Sequence, residues 1–220
     1  MRLTSEAWKI QPYLFYVLFI NLKKKNFGVT DTGSRTRITG NINKINVIRC
    51  PKAIFIGWRK SIDIDMVGNH PVDEISLTDS LQDVGQVRVL SKSKNILIYT
   101  IEGIKVDFVN YRYNWLDIPQ TIDSIRLASK KDIAAMKLNA IAGRGSKKVF
   151  FDIHELCNFY ELREMLAFYE SKYPDGSKFM VLKSLTYFDD ANGENDPVLL
   201  KSITWEEVKK NITNKVRKLF

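Results

Sequence analysis

Two aspartates set two residues apart, Asp63 and Asp65, lie in Ser61-Ile-Asp-Ile-Asp-Met-Val67, where apolar and polar residues alternate. Alternation with a period of two marks a strand, and in a strand residues i and i+2 project from one face. Both carboxylates are therefore expected on the same face, with Ile62, Ile64 and Met66 turned to the core. Carboxylates held so close repel, and each disturbs the other's ionisation unless a cation lies between them. Mg²⁺ suits such a place, since it takes one or two carboxylates together with substrate phosphate oxygens. A third acid, Asp107, stands alone among Val106, Phe108 and Val109. An acid in an apolar strand is costly to keep without a ligand or partner. Three carboxylates on neighbouring strands could hold two metal ions for an in-line phosphoryl displacement. The bare spacing also fits acids that merely face water, and both readings stay open on it.

A second group is basic. Lys137, Arg144, Lys147 and Lys148 straddle the break Gly143-Arg-Gly-Ser146 between two helical stretches. Backbone N–H groups at the start of the helix after Ser146, with these cations, would receive an anion such as a triphosphate. A solvated helix surface is the competing reading. Lys137 falls inside an apolar helical stretch, so it must reach water along its own stem or find an anion.

The elements that position these residues follow from pattern. Gln86–Leu90, Asn95–Ile101 and Ile104–Val109 read as strands, the last two joined by Glu102-Gly103 as a tight hairpin link. Gly68-Asn-His-Pro71 reads as a turn, and residues 30–46 as loop. Ser129 with Asp132 starts a helix reaching Ala142, Ser146 caps a second through Asn158, and Glu161–Tyr173 is a third, stopped by Pro174. Thr204 with Glu207 forms a capping box for a basic last helix. A small mixed or antiparallel sheet followed by a helical bundle gives an α+β fold. The expected divisions are a basic segment 1–50, a sheet region 51–125 and a helical region 126–220.

Composition narrows the class. A chain of 220 residues, 45% hydrophobic and 11% aromatic, can bury a core of its own. The formal net charge of +9 is unevenly spread: residues 1–60 hold 12 Lys and Arg against two acids, and the remainder is balanced. A basic lead can hold polyanions. Cys50 and Cys157 form no metal-ligand spacing and give no reason to place the chain in an oxidising compartment, so the cytoplasm is expected. The apolar run Tyr13–Ile20 is far shorter than the roughly 20 residues a membrane span needs. His70 and His154 carry no catalytic pattern.

Three blocks together resemble the abortive-infection toxin nucleotidyltransferases of AbiEii/AbiGii type. They are Arg59-Lys-Ser-Ile-Asp-Ile-Asp65, Ile104-Lys-Val-Asp-Phe-Val-Asn-Tyr111, and Asp132-Ile-Ala-Ala-Met-Lys-Leu-Asn-Ala-Ile-Ala-Gly-Arg-Gly-Ser-Lys-Lys148. Phe151–Leu156, Leu185–Ala191 and Thr204–Lys209 extend the likeness, which covers roughly residues 53–210. The resemblance implies a DNA-polymerase-β-like nucleotidyltransferase fold, Mg²⁺ and a nucleoside triphosphate as the needs of the reaction, and a role as the toxin of a bacterial toxin–antitoxin pair. It also implies an acceptor that could be RNA and a separately encoded antitoxin. The family's metal acids map onto Asp63 and Asp65, with Asp107 as third. Its strand-leading pair maps onto Arg59 and Ser61, and its helical basic residues onto Lys137, Arg144 and Lys148, with Asp152 in the same block.

The chain departs from the family pattern in two places. Where relatives have a Gly-Gly or Gly-Ser pair against the phosphates, counting back from Gly57 gives Ile48 and Arg49. Where relatives have Lys-Asp, this chain has Lys148-Val149. Three readings follow: a nucleotidyltransferase, a degenerate relative that binds nucleotide or a partner without transfer, and a basic nucleic-acid-binding module.

Overall fold

A computed structural model of the chain describes residues 48–50, 63–68, 73–82, 86–101, 103–122 and 125–220. Among these, two compact units are distinguished: one spans Asp63–Tyr111, the other Arg112–Phe220 together with Ile48–Cys50. The first strand, β1 (Ile48–Cys50), belongs to the second unit.

In the first unit β2 (Ile64–Gly68) is followed by helix α1 (Glu74–Gln82) and then by β3 (Val87–Lys92), β4 (Ile96–Ile101) and β5 (Ile104–Asn110). β3, β4 and β5 form an antiparallel meander, and β5 lies parallel to β2. The expected sheet of 86–109 is therefore present, and its mixed character comes from the crossover through α1 and the meander. Ile101 and Ile104 close the β4–β5 hairpin as a register pair, with Gly103 at φ 78° supplying the left-handed conformation such links need. The sheet's two faces separate cleanly. Leu97, Tyr99 and Ile101 of β4 and Val106 and Phe108 of β5 are buried with Leu77 and Leu81 of α1, and Ile64 and Met66 of β2 pack against them. Tyr99 and Phe108 meet edge to face with centroids 5.8 Å apart, and the Tyr99 hydroxyl lies 3.1 Å from that of Thr78.

Helix α1 is an element that sequence reasoning passed over. Its core contribution is two leucines one turn apart in a segment otherwise rich in Ser, Thr and Asp, residues of modest helix propensity. Packing on the sheet, not intrinsic preference, holds it.

The second unit pairs β1 with β7 (Ile125–Leu127) in parallel, with Arg49 opposite Leu127, and β7 with β6 (Gln120–Ile122) in antiparallel. Three-residue strands carry too little pattern to be read from the chain, and these were not anticipated. Six helices follow: α2 (Lys130–Gly143), α3 (Lys147–Leu156), α4 (Leu162–Lys172), α5 (Lys178–Leu185), α6 (Asp189–Asn192) and α7 (Trp205–Arg217). α2 packs against α3, α4 and α5, while α7 covers α3. The expected caps are present at Ser129, which accepts from the Asp132 amide, and at Thr204 with Glu207. Glu161 and Glu164 form a second reciprocal box at the start of α4. Ser146 does occupy the cap position of α3, but its side chain makes no capping bond.

Buried charge ties this unit together. Asp132, fully buried, accepts from the amides of Leu116 and Asp117, from the Ser129 hydroxyl at 2.6 Å and from the Lys172 ammonium at 2.6 Å. Lys172 also donates to the Asn114 carbonyl and lies 4.6 Å from the Trp115 ring centre. The segment entering the helices is thus fastened to the start of α2 and the end of α4 by a satisfied ion pair. Such a pair is costly to break, because removing either partner strands the other charge.

Candidate functional site

The acids of the Asp-x-Asp motif and Asp107 all lie in the first unit. Asp65 and Asp107 are register partners across the parallel β2–β5 pair, as are Val67 and Val109 on the same face. Adjacent strands lie about 4.8 Å apart, so the two carboxylates leave the sheet level with one another. They share the face opposite the α1 core, because Ile64 and Met66 of β2 and Val106 and Phe108 of β5 hold the other one. Asp65 is buried at 9% exposure, and Asp107 is partly buried. Two ionised carboxylates at this spacing repel by about 1 kcal/mol in water and several times that in a protein environment. Asp63 lies just ahead of β2 and is half-buried. Its side of the motif is therefore the approach to the strand and not the strand itself.

Lys105 sits two residues before Asp107 on β5 and donates to both of its carboxylate oxygens at 2.6 Å. The sequence signal for this pair was present: opposite charges at i and i+2 in a strand share a face.

Hard oxygen donors opposite one another suit a hard divalent cation. Among the described residues no three of His, Cys, Asp and Glu converge into a metal-binding group. The donor set that the strands bring level is the pair Asp65 and Asp107.

The basic residues lie in the second unit and divide into buried and exposed. Lys137 on α2 is buried and donates to Asp152 of α3 at 2.5 Å, with side-chain exposures of 8% and 0%. The anion that its apolar setting demanded is thus a residue of the chain. Lys147 is buried too: its ammonium bonds the Glu194 carbonyl and pairs with Asp196 at 3.1 Å. Its backbone amide donates to the Glu194 carboxylate at 2.8 Å. The first amide of α3, expected to face a phosphate, therefore already has a carboxylate from the 193–196 segment, which suits the positive end of the helix. Arg144 and Lys148 are exposed and form no ion pair with any described residue. Val149, where relatives of the resembled family have an acid, is buried at 7% exposure. Arg59 and Ser61 lie outside the described residues.

The chain is 37% identical over 169 residues to the uncharacterized protein aq_aa25 of Aquifex aeolicus (strain VF5), covering 73% of this chain and 80% of that protein. It belongs to the aq_aa25 family. No protein-family model matches the chain. Two solved structures are similar at low identity. A candidate nucleotidyltransferase from H. pylori is 14% identical with a TM-score of 0.48, covering 92% of this chain and 94% of that one. JHP933 from Helicobacter pylori is 13% identical with a TM-score of 0.47, covering 87% and 93%.

Two further groups of this aq_aa25 relative bear on chemistry. Burial raises the Cys157 thiol to about 11, which leaves almost no thiolate at neutral pH. His154 on α3 has a buried Nδ1 with no hydrogen-bond partner among the described residues, and burial lowers its pKa despite the opposing pull of Glu155 and Glu207. No described helix is long and apolar enough to cross a membrane.

Proposed function

We propose that the chain is a Mg²⁺-dependent nucleotidyltransferase that moves a nucleotide from a nucleoside triphosphate to an acceptor hydroxyl. The observation that carries this reading is the level placement of Asp65 and Asp107 on parallel strands β2 and β5, on the face opposite the core. Two acids side by side on one face repel each other, a cost that a cation bound between them relieves. Asp65 and Asp107, with Asp63 ahead of the strand, would hold the ion. A bound Mg²⁺ supplies charge to the phosphates and orients the triphosphate for in-line attack. The acceptor oxygen forms a bond to the α-phosphorus, the bond to the bridging oxygen breaks, and pyrophosphate leaves while the acceptor proton passes to solvent. Arg144 and Lys148 are exposed cations of the second unit, and Arg144→Ala and Lys148→Ala test separately whether either contributes to nucleotide binding.

The AbiEii-like blocks favour a toxin of a cytoplasmic toxin–antitoxin pair, with RNA among the acceptors to try and a separately encoded antitoxin as partner. A second reading, binding without transfer, is favoured by one observation. Ile48 and Arg49, which stand where the family's glycine pair is expected, belong to strand β1, paired with β7. A paired strand does not present the bare backbone that a glycine loop offers to phosphate. Calorimetry with Mg²⁺ and each of the four ribonucleoside triphosphates tests the primary reading. Saturable binding that requires the metal supports it, and Asp65→Asn should abolish that binding. Binding to none of the four sinks it. Metal-dependent binding with no pyrophosphate released in the presence of any acceptor tried, RNA included, favours the second reading.

A further inference from the structure

We propose that the open face of the β3–β4 hairpin holds the phosphate groups of a nucleic-acid strand, the acceptor of the transfer; this rests on the transferase reading above and deepens it. From Gln86 to Ile101 the hairpin carries Arg88, Lys92 and Lys94 and no acid. Lys92 is paired with Glu74 of α1, on the core side of the sheet. Arg88 on β3 and Lys94 in the 93–95 link are exposed and form no ion pair with any described residue. Strand register fixes where Arg88 stands relative to the acids. Ser91, Ile98 and Asp107 share one row across β3, β4 and β5, and that row ends at Asp65 of β2. Arg88, Thr100 and Lys105 form the neighbouring row on the same face, two residues along β4 and β5.

This face is closed on one side and open on the other. Asp65 and Val67 of β2 are 9% and 3% exposed, whereas Ile96 of β4 is 40% exposed and Arg88 and Ser91 of β3 face water. At about 4.8 Å per strand, β3 stands about 10 Å from β5 and about 14 Å from β2. A phosphate at Arg88 is therefore a different group from those that an ion on Asp65 and Asp107 would draw in. A ligand that reaches from the acids to Arg88, and on to Lys94 at the hairpin tip, is a chain with phosphates at intervals. Carboxylates repel such a polyanion, and the adjoining half of the sheet, with bases and no acid, attracts it. The hydroxyls of Ser91 and Thr100 add donors of the kind that phosphate oxygens accept from. An acidic peptide adding to β3 as a further strand fits less well. The register of β3 on β4 shifts between Val89 and Ser91, and an irregularity of that kind spoils an edge for pairing.

Fluorescence anisotropy of a labelled oligouridylate about 12 nucleotides long, titrated with the full chain, reads this contact without catalysis. Arg88→Gln with Lys94→Gln is expected to weaken binding at least about tenfold and to flatten the slope of log affinity against log salt by about 1.4, two phosphates at about 0.7 each. Arg88→Lys with Lys94→Arg keeps both charges and is expected to bind as the wild type does. Far-UV circular dichroism establishes that each variant is folded. Unchanged affinity in the Gln variant overturns the inference. So does an equal loss in Lys210→Gln with Arg217→Gln, an exposed pair on α7, because the effect would then be one of net charge. Polyglutamate bound as tightly as the oligonucleotide, and lost in the same variant, overturns the nucleic-acid occupant in favour of an acidic protein segment. Calorimetry with Mg²⁺ and each of the four ribonucleoside triphosphates is expected to be the same for wild type and the Gln variant. A loss there gives these cations to the triphosphate and overturns the acceptor role. Wild type that binds the oligonucleotide through Arg88 and Lys94 but none of the four triphosphates overturns the transferase reading, and the acceptor role with it, while the nucleic-acid surface stands.

Discussion

Lys137 of α2 and Asp152 of α3 meet at 2.5 Å with both side chains almost fully enclosed, which makes an ion pair the bridge between two packed helices. Removing one member of such a pair leaves a charge in the interior, at a cost of about 3–5 kcal/mol. Lys137→Met should therefore lower the urea midpoint sharply, and Lys137→Met with Asp152→Leu should recover most of the loss. A single variant as stable as the wild type would show that the pair contributes nothing to folding and leave a ligand-binding role as the explanation of Lys137.

The level carboxylates of β2 and β5 predict a metal-dependent melting temperature. If Asp65 and Asp107 hold the ion, 10 mM-scale Mg²⁺ at about 100 times its dissociation constant should stabilise the chain by about 2.7 kcal/mol. Asp65→Asn should abolish the shift. Equal shifts for wild type and Asp65→Asn in differential scanning calorimetry would contradict the assignment.

His154 predicts a pH dependence. Its folded-state pKa is lowered by burial, so the unfolded chain binds the proton more readily than the folded one. Stability is thus full above the unfolded value of about 6.5 and declines as pH falls below it toward the folded value. The groups around it are Glu155 on its own helix, Glu207 and Lys215 on α7, and Lys201 ahead of α7. Chemical denaturation at pH 7.5 and pH 5.5 should give a smaller difference for His154→Gln than for the wild type. Parallel profiles would assign the pH dependence to other groups.

The clasp between Glu194 and the start of α3 predicts a local effect. Glu194→Ala removes the acceptor for the Lys147 amide and the carboxylate at the helix's positive end, worth about 1–2 kcal/mol together. Hydrogen exchange should quicken at the amides of residues 147–150 more than in α4. Exchange that rises evenly through both helices would mean that Glu194 has no local role.

The boundary between what was legible in the chain and what was not follows the range of the interactions involved. Caps at Ser129 and Thr204, the hairpin at Gly103 and the strands around 86–109 are set by residues within a few positions of one another, and they were readable. Helix α1 was not, because its stability comes from Leu77 and Leu81 meeting a sheet whose strands come later in the chain. The Asp-x-Asp spacing and the lone acid at Asp107 marked candidates for metal chemistry. Their standing level with one another required the parallel pairing of β2 with β5, some forty residues apart.

The sequence by itself determined the residue types, the α+β order of elements and the acids that could do chemistry, since periodicity and spacing are local properties. Only the tertiary structure decided which charges are used up inside the protein. Lys137 belongs to Asp152, Lys147 to the 193–196 segment and Lys105 to Asp107, whereas Arg144 and Lys148 face water. The physical reason is that a charge finds its counter-charge through space. Even Lys105, two residues from Asp107, is brought to that carboxylate only because a strand turns both side chains to one face.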